Sequence, residues 1–259
     1  MRIPKMKNEK EEQEENLQLE GLNPVKEALL AGKDIDKILI KKGASTNSFN
    51  EIYRLAKENA VVIQEVPKEK LDKIRKTNNH QGVIALCPAY DYATVEQILD
   101  LAISRGQAPF IIILAGIKDP HNLGAIIRTA ECAGAHGIII PKRNTATINA
   151  TVNKSAAGSL SHMLVAKVSN IANTIDNLKK QNIWVAAGTM DGDIYFDCDL
   201  TGPIALVIGS EGEGIGKLIT KKCDFLVKIP MYGKVNSLNA SVAAGLLMYE
   251  VVRNRAYKF

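Results

Sequence analysis

A chain of 259 residues with 46% hydrophobic and 24% charged side chains has ordinary globular composition, which excludes collagen-like and low-complexity classes. At roughly 150 residues per domain it holds one large domain or two modest ones. No apolar run approaches the ~18 to 20 residues that span a bilayer; Phe110 to Gly116 and Ile204 to Gly209 are the longest, so no membrane role is expected. The net charge of +5 is uneven: residues 1–105 balance 17 Lys and Arg against 17 Asp and Glu, while residues 106–259 carry 16 against 11. That surplus permits a polyanionic partner without demanding one.

Residues 1–16 are charged, glutamate-rich and free of aromatics, the composition of a disordered arm. They lack the apolar stretch of a secretory signal, which points to a cytoplasmic protein. From Leu22 a compact alternation begins, with helices at Pro24 to Leu30, Phe49 to Asn59 and Lys68 to Arg75, and strands at Lys37 to Lys41, Val61 to Gln64 and Val83 to Cys87. This predicts a small α/β domain over 17–90. Pro88 to Thr94 breaks the pattern, and Val95 to Arg105 reads as a helix, so 91–107 is expected to be a linker with a helix. A longer alternation fills 108–259, with strands at Phe110 to Ala115, Gly137 to Ile140, Met163 to Lys167, Ile183 to Ala187, Ile204 to Ile208 and Phe225 to Ile229. Their near-continuous apolar character suits strands of a parallel sheet buried on both faces. Helices are predicted at Leu123 to Ala133, Ile171 to Gln181 and Leu238 to Arg253, giving an α/β fold with helices on both faces.

Three segments follow strand carboxyl ends, where open α/β sheets bind ligands. Asp119-Pro-His-Asn-Leu-Gly124 leads into a helix that carries Arg128 one turn after Gly124, although a solvated helix face also carries arginine. Leu206 to Gly216 runs a strand into a loop with glycine at 209, 212, 214 and 216, which lets backbone approach a ligand closely. It fits neither the phosphate-binding P-loop nor G-x-G-x-x-G, and Glu211 and Glu213 would repel phosphate, so the ligand is expected to be neutral or cationic there. Ile229 to Ser241 ends a strand at proline and places Asn236, Ser237, Asn239 and Ser241 before the last helix. One of them suffices as a helix cap; the others call for another explanation.

Taken together, Asn122-x-Gly124-x3-Arg128-x5-Gly134, Gly209-Ser-Glu211-Gly-x-Gly214 and Ile229-Pro-Met-x-Gly233-x3-Ser237-Leu-Asn239-x-Ser241 resemble the three motifs of the SpoU (TrmH) family of RNA ribose 2'-O-methyltransferases. The opening Gly21-Leu-Asn-Pro-Val-Lys-Glu-Ala-Leu and His80-Gln-Gly-Val83 look like the substrate-binding domain of its large-subunit ribosomal RNA branch. The resemblance implies a SPOUT fold whose carboxyl-terminal segment forms a trefoil knot, which no periodicity reveals. It also implies S-adenosylmethionine as methyl donor, a homodimer, and a guanosine of large-subunit (23S) rRNA as substrate. By similarity, Gly209, Gly214, Ile229, Met231, Leu238 and Asn239 hold the cofactor, and Arg128, Asn122, Glu211 and Ser237 form the catalytic set. In the family the arginine is proposed to help deprotonate the ribose hydroxyl. Arginine is a poor base, so stabilising the developing alkoxide or positioning a phosphate is at least as reasonable for Arg128.

His121 invites a general-base role, but a histidine at a helix start is commonly a surface or capping residue. His80 is expected to contact RNA or to pack locally, and Lys41, Lys42, Lys73, Arg75 and Lys76 offer phosphate contacts on what is otherwise a solvated face. Cys87, Cys132, Cys198 and Cys223 lie too far apart for a metal or disulfide framework; they read as reduced, mostly buried thiols, and no metal is expected. The competing readings are a tRNA 2'-O-methyltransferase of the same family and a non-catalytic RNA-binding or ribosome-assembly factor.

Overall fold

Val83 to Cys87 sends its side chains alternately into two buried layers. That alternation organises the first part of the computed structural model, which describes residues 17–33, 35–44, 46–77, 79–87, 90–212 and 214–256. The expectations for residues 1–16 and for Glu213 lie outside the described residues. Two compact units result, one ending at Asp91 and the other starting at Tyr92, with Thr147–Ala150 falling with the first.

The first unit runs β1 (Leu17–Glu20), α1 (Leu22–Leu30), β2 (Lys37–Lys41), α2 (Asn47–Glu58), β3 (Val62–Val66), α3 (Lys68–Ile74) and β4 (Val83–Cys87). Its sheet has the order β1-β4-β2-β3, parallel only between β2 and β3. Amphipathic α2 turns Phe49, Ile52, Leu55 and Ala56 inward, the spacing of one helical face, and packs them with α1 on Ile38, Ile40, Val83 and Ala85. The other face is smaller, with Leu71 of α3 covering Leu39 and Ile84. His80 packs locally: Gly82 N–H donates to its Nδ1 at 3.0 Å, so Nε2 carries the proton and donates to Asp72 Oδ1 at 2.9 Å. Of the expected phosphate contacts, Lys41 lies over the Phe49 ring and Arg75 stands 3.9 Å from Asp72.

The second unit contains α4 (Val95–Ser104), β5 (Phe110–Ala115), α5 (Pro120–Cys132), β6 (Gly137–Pro141), α6 (Ala150–Ala156), β7 (Leu164–Val168), α7 (Ile171–Lys179), β8 (Trp184–Ile194), β9 (Ile204–Gly209), α8 (Lys217–Lys222), β10 (Phe225–Lys228) and α9 (Ala240–Ala256). All pairings in its sheet, ordered β10-β8-β9-β5-β6-β7, are parallel. Ile111, Ile113, Val185 and Val207 point to one face, under Ile98 of α4 and Ile175 of α7. The other face lies under α5 and α9, which pack on each other; a Cβ on Gly188 would come within 2.8 Å of Leu247 Cδ1. Arg255, near the end of α9, donates to the carbonyls of Ala108, Pro109 and Gly202, tying that helix to the chain entering β5 and β9. Burial holds its pKa below the usual arginine value.

Strand β8 is longer than its apolar core predicts, because polar Thr189 to Asp193 continue the strand beyond Ala187. Helices α6 and α8 were not anticipated; six or seven residues leave too short a periodic signal. The cysteines also depart from expectation. Only Cys87 is buried, whereas Cys132 is exposed and Cys198 and Cys223 are half-buried. Burial pushes the Cys223 thiol up to about 11, with neighbouring Asp224 adding to it.

Candidate active site

The chain leaves β5 and enters α5 at Asp119, whose carboxylate accepts the His121 backbone N–H at 3.0 Å; Pro120 occupies the first helical position. Asp119 therefore caps the helix. The His121 ring lies 3.2 Å from Ser155 Oγ through Nδ1. Gly124 is required by close approach: a Cβ there would stand 2.5 Å from Ser155 Cβ and 2.7 Å from the Val152 carbonyl. Helix α6 consequently rests directly on the first turns of α5.

Beyond β9 the glycine loop closes on itself. Ser210 and Gly214 exchange backbone hydrogen bonds at 3.1 and 3.0 Å, and Gly212 and Gly214 hold left-handed φ values of 84° and 65°. A side chain at Gly209 would collide with the Gly214 backbone, its Cβ 2.5 Å from the carbonyl carbon. This turn tolerates no Cβ at its base and favours glycine at its left-handed positions.

The loops after β5, β9 and β10 meet in one hydrogen-bonded cluster. Asn122, 6% exposed, donates from Nδ2 to Glu211 Oε1 at 2.6 Å. Asn239 Nδ2 donates to Asn122 Oδ1 at 3.0 Å and to Glu211 Oε1 at 2.9 Å. The remaining Asn239 oxygen accepts from the Ser241 N–H at 2.9 Å and from the Ser241 hydroxyl at 2.6 Å, at the start of α9. A carboxylate, two amides and a helix start thus form one network across residues far apart in sequence.

Beside this cluster lies a cavity of about 600 Å³, within the size range of small-molecule sites. Gly209, Gly214, Ile229, Met231 and Leu238 line it, as do Glu211 and Ser237. Asn239 is in the cluster and not in the cavity wall. Arg128 is exposed on α5 and makes no hydrogen bond or ion pair among the described residues. Residues that motif reading missed complete the wall: Gly188 to Asp191 of β8, Leu226 of β10 and Leu247 of α9. The Gly-Thr pair after the apolar run of β8 was the available signal; Leu247 offered none, because a core leucine and a cavity leucine look alike in sequence. Among the described residues, no three His, Cys, Asp or Glu side chains cluster so as to hold a metal ion.

Comparison with known proteins follows the division between the units. The family described as SpoU rRNA Methylase matches residues 109–249, and the one described as RNA 2'-O ribose methyltransferase substrate binding matches residues 18–93. A protein of Staphylococcus haemolyticus named as a TrmH family tRNA/rRNA methyltransferase is 46% identical over 93% of this chain and 97% of its own length. One of Bacillus subtilis, similarly named, is 45% identical over 91% of this chain and 94% of its own length. Among solved structures, the SpoU methyltransferase AviRb from Streptomyces viridochromogenes, in complex with AdoMet, is similar with a TM-score of 0.59 and 25% identity, covering 96% of this chain and 94% of that one. A methylase family matched over residues 109–249, which hold the whole candidate site, preceded by a matched substrate-binding family and joined to near full-length relatives, leaves one assignment: the chain belongs to the SpoU/TrmH family and is an RNA methyltransferase.

Proposed function

We propose that this protein transfers a methyl group from S-adenosylmethionine to the ribose 2'-hydroxyl of a guanosine in large-subunit (23S) rRNA, acting as a cytoplasmic homodimer with the SPOUT family's carboxyl-terminal knot. The observation that carries the reading is the cavity of about 600 Å³ set against the Asn122–Glu211–Asn239 cluster. The match of residues 18–93 to a 2'-O ribose methyltransferase substrate-binding family supports the ribose as target. Exposed Val242, Leu246 and Tyr249 of α9 support a second copy of the chain as their cover.

The cavity suits the cofactor chemically. Ile208, Ile215, Leu226, Ile229, Met231 and Leu238 offer apolar walls for a purine and its ribose, and the glycine loop brings bare backbone groups to the rim. Asp191 and Glu211 on the same wall would repel a phosphate and are compatible with a sulfonium and an ammonium group. When bound, S-adenosylmethionine supplies an electrophilic methyl group. The chain's own part is positioning and electrostatics, which can account for many orders of magnitude in rate. Glu211, held by two amide donors, keeps a fixed orientation on the cavity wall. The Arg128 guanidinium stabilises negative charge developing on the ribose oxygen or holds the adjacent phosphate. Ser237 contributes a hydrogen bond from the cavity wall.

The test is methyl transfer from radiolabelled S-adenosylmethionine to unmodified large-subunit rRNA and to tRNA in separate reactions, with the mark mapped. Label confined to a 2'-O-methylguanosine of the rRNA is expected. Label in tRNA alone would overturn the substrate, and neither label nor cofactor binding would favour a non-catalytic RNA-binding protein. Arg128→Ala is expected to lower transfer by about 10² to 10³-fold while leaving cofactor affinity unchanged by calorimetry; a normal single-turnover rate would remove Arg128 from the mechanism.

A further inference from the structure

The carboxyl-terminal side of the second sheet divides by charge. From Gly116 to Ser169 the chain carries six Lys or Arg against two Asp or Glu, whereas from Gly188 to Gly216 it carries six Asp or Glu and no Lys or Arg. The first stretch supplies the loops after β5, β6 and β7, and the second contributes the acidic part of the cavity wall. Their junction is the Asn122–Glu211 hydrogen bond.

The basic side is one connected surface. The Lys142 backbone N–H donates to the Val168 carbonyl at 2.8 Å, which joins the end of β6 to the end of β7 beside Lys167. The Ala146 N–H and Thr145 hydroxyl both donate to the Ile117 carbonyl, at 2.7 and 3.0 Å, so the loop carrying Lys142 and Arg143 is fastened to the one carrying Lys118. The His121–Ser155 contact and the packing of α6 on Gly124 bring in the helix that carries Lys154. Lys118, Lys142, Arg143 and Lys154 are exposed, and the Lys167 ammonium lies 4.0 Å from the centre of the Tyr92 ring. Adjacent strand ends stand about 4.8 Å apart, so β5 to β7 span about 10 Å, a length that accommodates two or three successive phosphates.

We propose that the RNA strand flanking the target nucleotide runs along the loops after β5, β6 and β7, its phosphates held by Lys118, Lys142, Arg143, Lys154 and Lys167. The inference rests on the methyl-transfer reading for its target ribose and deepens it by giving the strand a direction. RNA entering at the cluster turns toward β7, because phosphates over the β8–β9 side would meet the carboxylates of Asp191 and Glu211 on the cavity wall. Such contacts position the strand without reading its sequence.

The test measures binding of a fluorescein-labelled, mixed-sequence single-stranded RNA of about 20 nucleotides by anisotropy from about 0.05 to 0.3 M KCl. The full-length protein is compared with the pair Lys142→Gln and Arg143→Gln. Each lost phosphate contact reduces the slope of log affinity against log salt by about 0.7 for a single strand, so the pair is expected to lower it by about 1.4 and weaken binding on the order of tenfold near 0.1 M salt. Adding Lys154→Gln lowers the slope by about another 0.7. The charge-retaining pair Lys142→Arg and Arg143→Lys is expected to keep the parent slope, as is Lys217→Gln with Lys221→Gln on α8. An unchanged slope in the first pair, an equal loss in the α8 pair, or an equal loss in the charge-retaining pair would each overturn the path. Cofactor binding in every variant verifies the fold. Failure of the unmodified protein to methylate any RNA would defeat the proposed reaction while leaving the salt slopes to judge the path separately.

Discussion

His136 is 1% exposed and both ring nitrogens are committed. The Phe110 N–H donates to Nδ1 at 3.0 Å, so Nε2 carries the proton and donates to Gln107 Oε1 at 3.0 Å. Burial, with the charges of Arg105 and Arg255 adding to it, holds its pKa below the ordinary 6.5. The folded protein therefore keeps this ring neutral while the unfolded chain takes up a proton. Stability from this site is complete above about 6.5 and declines as pH falls below that value, by at most about 1.4 kcal/mol per pH unit. His136→Gln, which retains an acceptor for the Phe110 N–H, is expected to flatten that decline; urea unfolding from pH 7.5 down to 5 measures it, and an unchanged slope would assign the pH dependence elsewhere. In the sequence His136 was one more residue between a helix and a strand. By contrast Asn122, Arg128 and Glu211 stood out because their spacing matches motifs.

At the scale of elements, the cluster depends on the start of α9. Asn239 uses its oxygen on the first turn of that helix and its two N–H groups on Asn122 and Glu211. Removing the side chain costs a helix cap, about 1 kcal/mol, and also frees the Asn122 oxygen and one interaction of Glu211. Asn239→Ala is expected to lower the midpoint of thermal unfolding by a few degrees and to reduce kcat for methyl transfer at least tenfold, while the cofactor dissociation constant changes little because Asn239 stands outside the cavity wall. A fall in cofactor affinity with kcat preserved would return Asn239 to the cofactor. Capping was legible from the run of polar residues before the helix, but which residue caps, and what its other end holds, was not. That requires α5, the β9 loop and α9 to be neighbours in space.

On the scale of the whole molecule, the two units have separate cores: Val25, Phe49 and Ile52 belong to one, Ile111, Ile175 and Val207 to the other. Each buries its own apolar faces, as independently folding domains do. Deleting residues 1–90 is therefore expected to leave cofactor binding by calorimetry within about twofold while weakening RNA binding on the order of tenfold or more. A truncated protein that binds and methylates RNA normally would remove the first unit from substrate recognition.

The α/β alternation, the parallel sheet and the motif residues were legible in the sequence because they are local. Buried parallel strands are continuously apolar, and the glycine and asparagine positions recur at fixed spacing. The far half of β8 was not legible, since a strand whose residues line a cavity loses the apolar run that marks a strand. Nor were the exposed thiol of Cys132, the commitment of His80 to Asp72, or the place of Asn239 beside Glu211. Sequence by itself determined which residues stand at motif spacing and the order in which they come. Only the tertiary structure decided which of them touch: strand order, close approach at glycine and hydrogen-bond geometry join residues as distant as Asn122 and Asn239, 117 positions apart, beyond the reach of any local pattern.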